Sequence, residues 1–129
     1  MRVISLHPWR VTPAEAARIQ GDLVKRLCQA PPPGLQVNCV AGADVSFDRD
    51  AGMVYAAVVA MAYPSLEMCE VRTAALPATF PYVPGLLVFR EGPALAEAFA
   101  AMQTEPDVVM FDGHGVAHPR RLGIAAHFG

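Results

Sequence analysis

The sequence has few charged residues, no long apolar run and no leader pattern at its start, and each scarcity argues against a class of protein. Charged residues make up 17% of the chain and the formal net charge is −2, which argues against a protein that coats nucleic acid through charge alone. The longest apolar run, Met53–Tyr63, falls well short of the roughly 20 residues that a membrane-spanning helix needs. The first residues also lack the apolar core of a signal peptide, so we expect a cytoplasmic protein that does not enter a membrane.

Cysteine is scarce as well, and the three that are present argue against a covalent or metal-held framework. Cys28, Cys39 and Cys69 form no close pair, so neither a disulfide scaffold nor a zinc knuckle is predicted. Each lies in an apolar stretch, which predicts a buried free thiol. Apolar residues make up 53% of the 129 residues, enough to form a core and to argue against disorder. The length predicts a single domain over residues 1–129.

The pattern along the first half of the chain predicts a helix and then three strands. Thr12-Pro13-Ala14-Glu15 combines capping-box residues with a proline at the first helical position, which predicts a helix start. The proline-rich stretch Pro31–Gly34 follows, so residues 1–36 are interpreted as a helix and a stiff linker. Period-two alternation and short turns then predict an antiparallel meander. Its strands are Val37–Phe47, Met53–Tyr63 and Leu66–Leu76.

The second half predicts a crossover connection. A helix predicted to begin at Pro93 buries Leu95, Phe99 and Met102, and the short apolar strand Asp107–Phe111 follows it. Because a crossover helix implies a parallel partner, this strand is expected to run parallel to a neighbour. A last helix is predicted over residues 120–128. This order resembles the first part of a ribonuclease H-like α/β fold with a mixed sheet. We expect that fold to be incomplete at the C-terminus, since its fifth strand would come next.

Two aspartates fall at places where a sheet can present them together. Asp44 lies in the first predicted strand, and Asp112 follows the Asp107–Phe111 strand, at the end of a strand where α/β sheets bind ligands. If the two strands are neighbours, the carboxylates suit Mg²⁺, which can activate water and neutralise charge on a phosphodiester. Glu91 is a plausible third carboxylate. The alternatives are that these three residues satisfy turns and helix ends.

Histidines, arginines and one tyrosine suggest further contacts. Asp112, His114 and His118 have a spacing that also occurs in zinc hydrolases, whereas His118 alone suits a phosphate contact or a proton shuttle. Tyr82 lies on the stiff loop Pro81–Gly85, where it either wedges into a base stack or is buried beneath the loop. The candidate phosphate contacts are Arg90, Arg120 and Arg121.

Four stretches, taken in order and spacing, carry a resemblance to a known family. They are Ala41–Phe47 (AGADVSF), Tyr63–Glu67 (YPSLE), Pro81–Glu91 (PYVPGLLVFRE) and Phe111–Gly123 (FDGHGVAHPRRLG). Together they resemble the endonuclease V family of DNA repair nucleases, and the resemblance runs from about residue 37 to residue 129. It implies a ribonuclease H-like fold and Mg²⁺ as cofactor, with Mn²⁺ able to replace it. It also implies nicking of the second phosphodiester 3′ to a deaminated base, chiefly hypoxanthine in DNA and in some members inosine in RNA.

The resemblance also implies roles for individual residues. Asp44, Glu91 and Asp112 match the family's metal-binding carboxylates, His118 matches a histidine near the active centre, and Tyr82 beside Pro81 matches the residue that fills the space of a displaced base. The implied base pocket consists of Gly85, Leu87, Gly113, Gly115, Gly123 and Ile124.

Three hypotheses follow for the chain. The first is a metal-dependent endonuclease. The second is a remnant that binds nucleic acid or a partner without cleaving, because family members continue beyond the matched region with a further strand and an active-centre lysine. The third is a zinc hydrolase that uses Asp112, His114 and His118. We expect a monomer whose exposed sheet edge at Asp107–Phe111 could drive self-association.

Overall fold

A computed structural model describes residues 1–129 as an N-terminal helix, a four-stranded sheet and two further helices. The helices are α1 (Pro13–Leu23, followed by a 3₁₀ turn at Val24–Arg26), α2 (Leu87–Ala100) and α3 (Ile124–Phe128). The strands are β1 (Cys39–Asp48), β2 (Met53–Ala62), β3 (Met68–Pro77) and β4 (Val108–Phe111). None of the helices combines the length and the apolarity needed to cross a membrane.

The sheet has the strand order β3-β2-β1-β4 and confirms the predicted mixed topology. The first three strands form antiparallel pairs, and β4 pairs with β1 in parallel. The α2 helix provides the crossover before β4, which is the ribonuclease H-like arrangement of an α/β fold. β4 is an edge strand of this sheet, as expected, and Met110 on it is 59% exposed.

The hydrophobic core lies between one face of the sheet and α2. Alternate residues of β1 and β2 point into it, including Ala41, Ala43 and Val58, while α2 contributes Phe89 and Phe99. Small residues on the strands let the helix lie close to the sheet, so the core is built largely from alanine, valine and phenylalanine. On the opposite face of β1, Asp44, Ser46 and Asp48 lie outside this core and are exposed.

The start of α2 differs from the prediction. The helix begins at Leu87 and not at Pro93, which lies inside it. Proline is most common in the first turn of a helix, and Gly92 before it favours a break, so local sequence pointed to a later start. Burial of Val88, Phe89 and Gly92 against the core instead extends the helix toward the N-terminus. Glu91 therefore lies within a helix and not in a loop before one.

Three smaller predictions are also corrected. The last helix covers only Ile124–Phe128 because the preceding residues form a turn in which Arg121 has a φ of 58°. The third strand begins at Met68, since Leu66 before it has a φ of 59°. The cysteines are free, as expected, but Cys28 and Cys69 are exposed, because both lie near irregular ends and not in the core.

Candidate functional site

The parallel pairing of β1 and β4 brings Asp44 and Asp112 to neighbouring positions. In this register Ala43 faces Phe111, so each aspartate is the next residue on its strand. The backbone N–H of Asp112 donates a hydrogen bond to the carbonyl of Ala43 at 3.3 Å. Both side chains are exposed, and Oδ1 of Asp44 accepts a hydrogen bond from the N–H of Val45 at 2.7 Å. The structure thus places the two aspartates at adjacent register positions, with Asp44 inside β1 and Asp112 directly after the end of β4.

Glu91 extends this acidic region from the first half of α2. Its partial burial raises the pKa of the carboxyl to about 7, against the opposing effect of the Arg90 cation, and the negative charge of Asp44 raises it further. Burial and like charge both disfavour the ionised form. A bound cation would stabilise the carboxylate form of Glu91 and relieve its repulsion from Asp44.

The chemistry of Asp44, Glu91 and Asp112 suits a metal ion, but the distances between their side chains also matter. Carboxylate oxygens are the ligands that Mg²⁺ prefers, and the charge of Asp44 adds to the effect of burial in raising the pKa of Glu91. However, no group of three or more histidine, cysteine, aspartate or glutamate side chains is drawn close enough to hold an ion. The backbone therefore brings β1, α2 and the residue after β4 together, while the side chains of Asp44, Glu91 and Asp112 do not converge in this structure.

His118 is engaged in protein contacts on both sides of its ring. Its Nε2 lies 2.9 Å from the carbonyl of Gly85, and its Nδ1 accepts a hydrogen bond from the N–H of Arg120 at 3.1 Å. Burial lowers the pKa of this imidazole, although the hydrogen bond to Gly85 opposes the shift. Because neither ring nitrogen is free, the geometry does not support the zinc set of Asp112, His114 and His118. The catalytic role of His118 stays a prediction, and in this structure the ring holds a loop in place.

The loop after β4 packs directly on the start of α3. Gly123 donates a hydrogen bond to the carbonyl of Gly115 at 3.0 Å, and Ala125 donates one to that of His114 at 3.2 Å. Gly113 has a φ of 142°, and a Cβ added to it would lie 2.7 Å from Cγ2 of Ile124. Only glycine fits such a backbone without strain. Four of the predicted pocket residues therefore form one continuous wall, namely Gly113, Gly115, Gly123 and Ile124.

The other two predicted pocket residues lie near the start of α2. Gly85, with a φ of 79°, packs against Arg120, whose Nη2 would be 2.8 Å from an added Cβ. Leu87 is the first residue of the helix and is 42% exposed. Gly85 therefore contacts the His118–Arg120 turn, which leads along the chain to Gly123 and Ile124.

Tyr82 and the three candidate arginines are placed very differently from one another. Tyr82 is 68% exposed, which excludes the alternative of a tyrosine buried beneath its loop, and Pro81 beside it is exposed too. Arg121 is also exposed. Arg120 is held by Gly85 and Gln20, and the guanidinium of Arg90 lies 3.5 Å over the ring of Phe47. Arg121 is therefore the arginine of the three that is free to reach a phosphate.

One residue of this region was missed by the sequence analysis. Gln20 on α1 is completely buried, and its Nε2 donates to the carbonyls of Gly85 at 3.0 Å and Leu122 at 3.3 Å. Its Oε1 accepts from Nε of Arg120 at 2.6 Å. The available signal was its spacing, because Gln20 is four residues after Ala16 and so shares the buried face of the helix.

Comparisons with known proteins give a consistent result. A family model described as endonuclease V matches residues 21–129. The endonuclease V of Nostoc sp. is 43% identical over 129 residues, which is all of this chain and 58% of that protein. The crystal structure of endonuclease V from Streptomyces avermitilis matches 94% of this chain and 54% of its own, with a TM-score of 0.87 and 40% identity.

A third similar structure contains nucleic acid. Endonuclease V of Ciona intestinalis was solved in complex with a 23mer DNA that contains an inosine followed by a ribo-adenosine. It matches 92% of this chain and 54% of its own, with a TM-score of 0.80 and 28% identity. The chain thus spans just over half the length of the relatives that it matches.

Proposed function

Because the chain belongs to the endonuclease V family, we propose that it acts in Mg²⁺-dependent cleavage of DNA beside deaminated bases, at the second phosphodiester 3′ to hypoxanthine. The observation that carries the proposal is the β1–β4 pairing, which sets Asp44 beside Asp112 with Glu91 within electrostatic range. The inosine-containing DNA bound to the Ciona intestinalis relative supports the substrate class.

Asp44 and Asp112 would hold the cation, with Glu91 completing the set once it is ionised. A divalent ion bound there supplies activation of water and neutralisation of charge on the phosphodiester, and Mn²⁺ is proposed as a substitute for Mg²⁺. Asp44 is already oriented by the N–H of Val45. Arg121 is exposed and is proposed to contact phosphate, while Arg90 and Arg120 contribute positive charge from more fixed positions.

Base recognition is proposed for the glycine-rich wall and the Tyr82 loop. We propose that the ring of Tyr82 fills the space that an extruded base leaves, and its 68% exposure supports this role. The wall of Gly113, Gly115, Gly123 and Ile124 would present backbone groups to hypoxanthine, whose O6 acceptor and N1–H donor differ from the pattern of adenine. Extruding a mispaired base takes less free energy than extruding a paired one, which adds selectivity.

The second candidate function is binding without cleavage, with inosine-containing nucleic acid or another protein as partner. One observation favours it, namely that the three carboxylates do not converge. A monomer with its β4 edge exposed remains the expected form, and inosine-containing RNA is a further proposed substrate.

A nicking assay separates these functions. The chain is incubated with a labelled duplex containing one deoxyinosine and with the matched deoxyadenosine duplex, with Mg²⁺ or with a chelator. Metal-dependent nicking confined to the inosine duplex supports the first function, and it should disappear in Asp44→Asn but persist in Asp50→Asn, an exposed turn residue nearby. Inosine-selective binding with no nicking favours the second function, and absence of both contradicts the two proposals.

A further inference from the structure

The carbonyl of Gly85 is the meeting point of three separate segments of the chain. It accepts hydrogen bonds from Nε2 of Gln20 at 3.0 Å, from Nε2 of His118 at 2.9 Å and from Nη2 of Arg120 at 2.8 Å. Three donors on one carbonyl oxygen exceed what its two lone pairs normally accept. Such convergence fixes the end of the Pro81–Gly85 loop with unusual tightness.

Gln20 is the member of this cluster that joins its parts. Its amide group donates to Gly85 and to the carbonyl of Leu122, and it accepts from Arg120. Leu122 precedes Gly123, which packs on the loop after β4. One buried side chain on α1 therefore links the loop that carries Tyr82 to the turn that supports the glycine wall.

We infer that Gln20 is a positioning residue. It sets the position of Tyr82 relative to the wall of Gly113, Gly115, Gly123 and Ile124. This inference rests on the proposed function, because it assigns Gln20 a part in the selectivity of that site. The side chain is fully buried, so it does not touch nucleic acid and acts only through Gly85, Arg120 and Leu122. A buried amide with three partners is also a strict constraint, since any displacement leaves polar groups unsatisfied.

The test compares Gln20→Met with Ala16→Gly. The first removes all three hydrogen bonds and keeps the side-chain volume. The second weakens the same helix one turn away, at a residue that is also completely buried and has no polar side-chain group. Hydrogen exchange is measured at Leu86, whose N–H is bonded to the carbonyl of Val83 in the Tyr82 loop. Binding of a duplex with one deoxyinosine is compared with binding of the matched deoxyadenosine duplex.

We expect Gln20→Met to speed exchange at Leu86 and to lower the inosine preference, each by about tenfold, because the loss of the three hydrogen bonds leaves their buried partners unsatisfied. Ala16→Gly should change neither the exchange rate at Leu86 nor the inosine preference, even where it lowers the melting temperature as much as Gln20→Met does. In a Tyr82→Ala background, Gln20→Met should have no further effect on the preference, because Gln20 acts through that loop. Equal effects of the two α1 substitutions, or additive effects of Gln20→Met and Tyr82→Ala, overturn the inference.

The same measurements also cover two other outcomes: a Gln20→Met variant that does not fold, and an unmodified chain that shows no inosine preference. If Gln20→Met does not fold, Gln20→Glu keeps an acceptor for Arg120 but places no donor on Gly85 or Leu122, and the same changes are expected. If the unmodified chain shows no inosine preference, the proposed function fails. Exchange at Leu86 then decides the positioning role by itself, and an unchanged rate in Gln20→Met overturns it.

Discussion

The Nε2 atoms of His7 and His127 lie 2.6 Å apart, although 120 residues separate them in the chain. His7 also faces Trp9 and Phe89, and Trp9 stacks on the ring of His127. The first residues of the chain are thereby fastened to α2 and α3 by an aromatic cluster with one imidazole–imidazole hydrogen bond. Such a bond requires at least one neutral ring, since two imidazoliums have no acceptor.

The His7–His127 pair should make stability depend on pH. Burial, with a further effect from His7, lowers the pKa of His127 to about 4. The unfolded chain therefore binds a proton near pH 6.5 that the folded chain does not bind, so stability is full above that pH and falls as the pH is lowered toward 4. We expect a loss of about 2 kcal/mol between pH 7.5 and pH 5, measured by urea unfolding. His127→Phe should flatten this dependence, whereas His114→Gln, at an exposed residue, should retain it; retention in both would contradict the assignment.

Glu70 should control stability at lower pH. It accepts hydrogen bonds from the backbone N–H groups of Gln103 and Thr104, and it forms an ion pair with Arg72 at 2.8 Å. The bond from Gln103, followed by those from Thr104, lowers the pKa of this carboxyl to about 2. Its contribution is therefore present above about pH 4.5 and is lost as the pH falls toward 2.

Thermal unfolding of Glu70→Gln tests this role of Glu70. The variant should melt at a lower temperature than the unmodified chain at pH 6, and the difference should shrink toward pH 2 because both chains then lack the charge. Glu97→Gln, at an exposed residue of α2, is the control and should melt like the unmodified chain. A difference in melting temperature that does not depend on pH would refute the charge-based explanation.

Elements that depend on local pattern could be predicted from the sequence, whereas contacts between residues far apart in the chain could not. Alternation in β1 and the unbroken apolar run of β2 identified the strands, and the helix before β4 indicated parallel pairing. The His7–His127 contact and the Gln20 cluster join residues about 100 positions apart, so no local pattern contains them. At Pro93, tertiary burial prevailed over a strong local signal for a helix start.

The same division applies to the candidate site. The pairing of Asp44 with Asp112 was predicted on the condition that the first strand and the Asp107–Phe111 strand are neighbours, and the parallel β1–β4 pairing meets that condition. The tethering of Arg120, in contrast, depends on Gln20 and Gly85, which adjoin it only in the folded chain. An arginine in a motif such as Pro119-Arg120-Arg121 gives no sign of which guanidinium is free. The roles of these residues in binding and cleavage stay predictions until they are measured.

Gly92→Ala should be strongly destabilising although it replaces a glycine inside a helix. A Cβ at this position would lie 2.6 Å from two atoms of the Trp9 ring. We expect a loss of about 1–3 kcal/mol from overpacking. Gly21→Ala in α1 is the matched control, since nothing lies within 4 Å of its added Cβ, and it should stabilise by about 0.5–1 kcal/mol. Urea unfolding of both variants should give opposite signs, and equal signs would contradict the packing argument.

Tyr82→Ala should lower the preference for inosine and leave the stability of the fold almost unchanged. The side chain is 68% exposed, so its removal should change the free energy of unfolding by less than about 0.5 kcal/mol. The proposed wedge role predicts a loss of inosine preference of about tenfold, within the range that one aromatic–base stack provides. Tyr82→Phe keeps the ring and should keep the preference. Binding of the deoxyinosine and deoxyadenosine duplexes, measured by fluorescence anisotropy, distinguishes these cases, and an unchanged preference in the alanine variant would exclude the wedge.

A divalent cation should stabilise the fold through the carboxylates of β1, β4 and α2. An ion that binds the folded chain at ten times its dissociation constant adds about 1.4 kcal/mol, which corresponds to a rise in melting temperature of a few degrees for a domain of this size. The rise should be larger at pH 8 than at pH 6, because the raised pKa of Glu91, about 7, leaves that carboxyl largely protonated at the lower pH. Asp44→Asn and Asp112→Asn should each abolish the rise, and Asp50→Asn should preserve it. A rise of equal size in all of these variants would place the ion elsewhere on the surface.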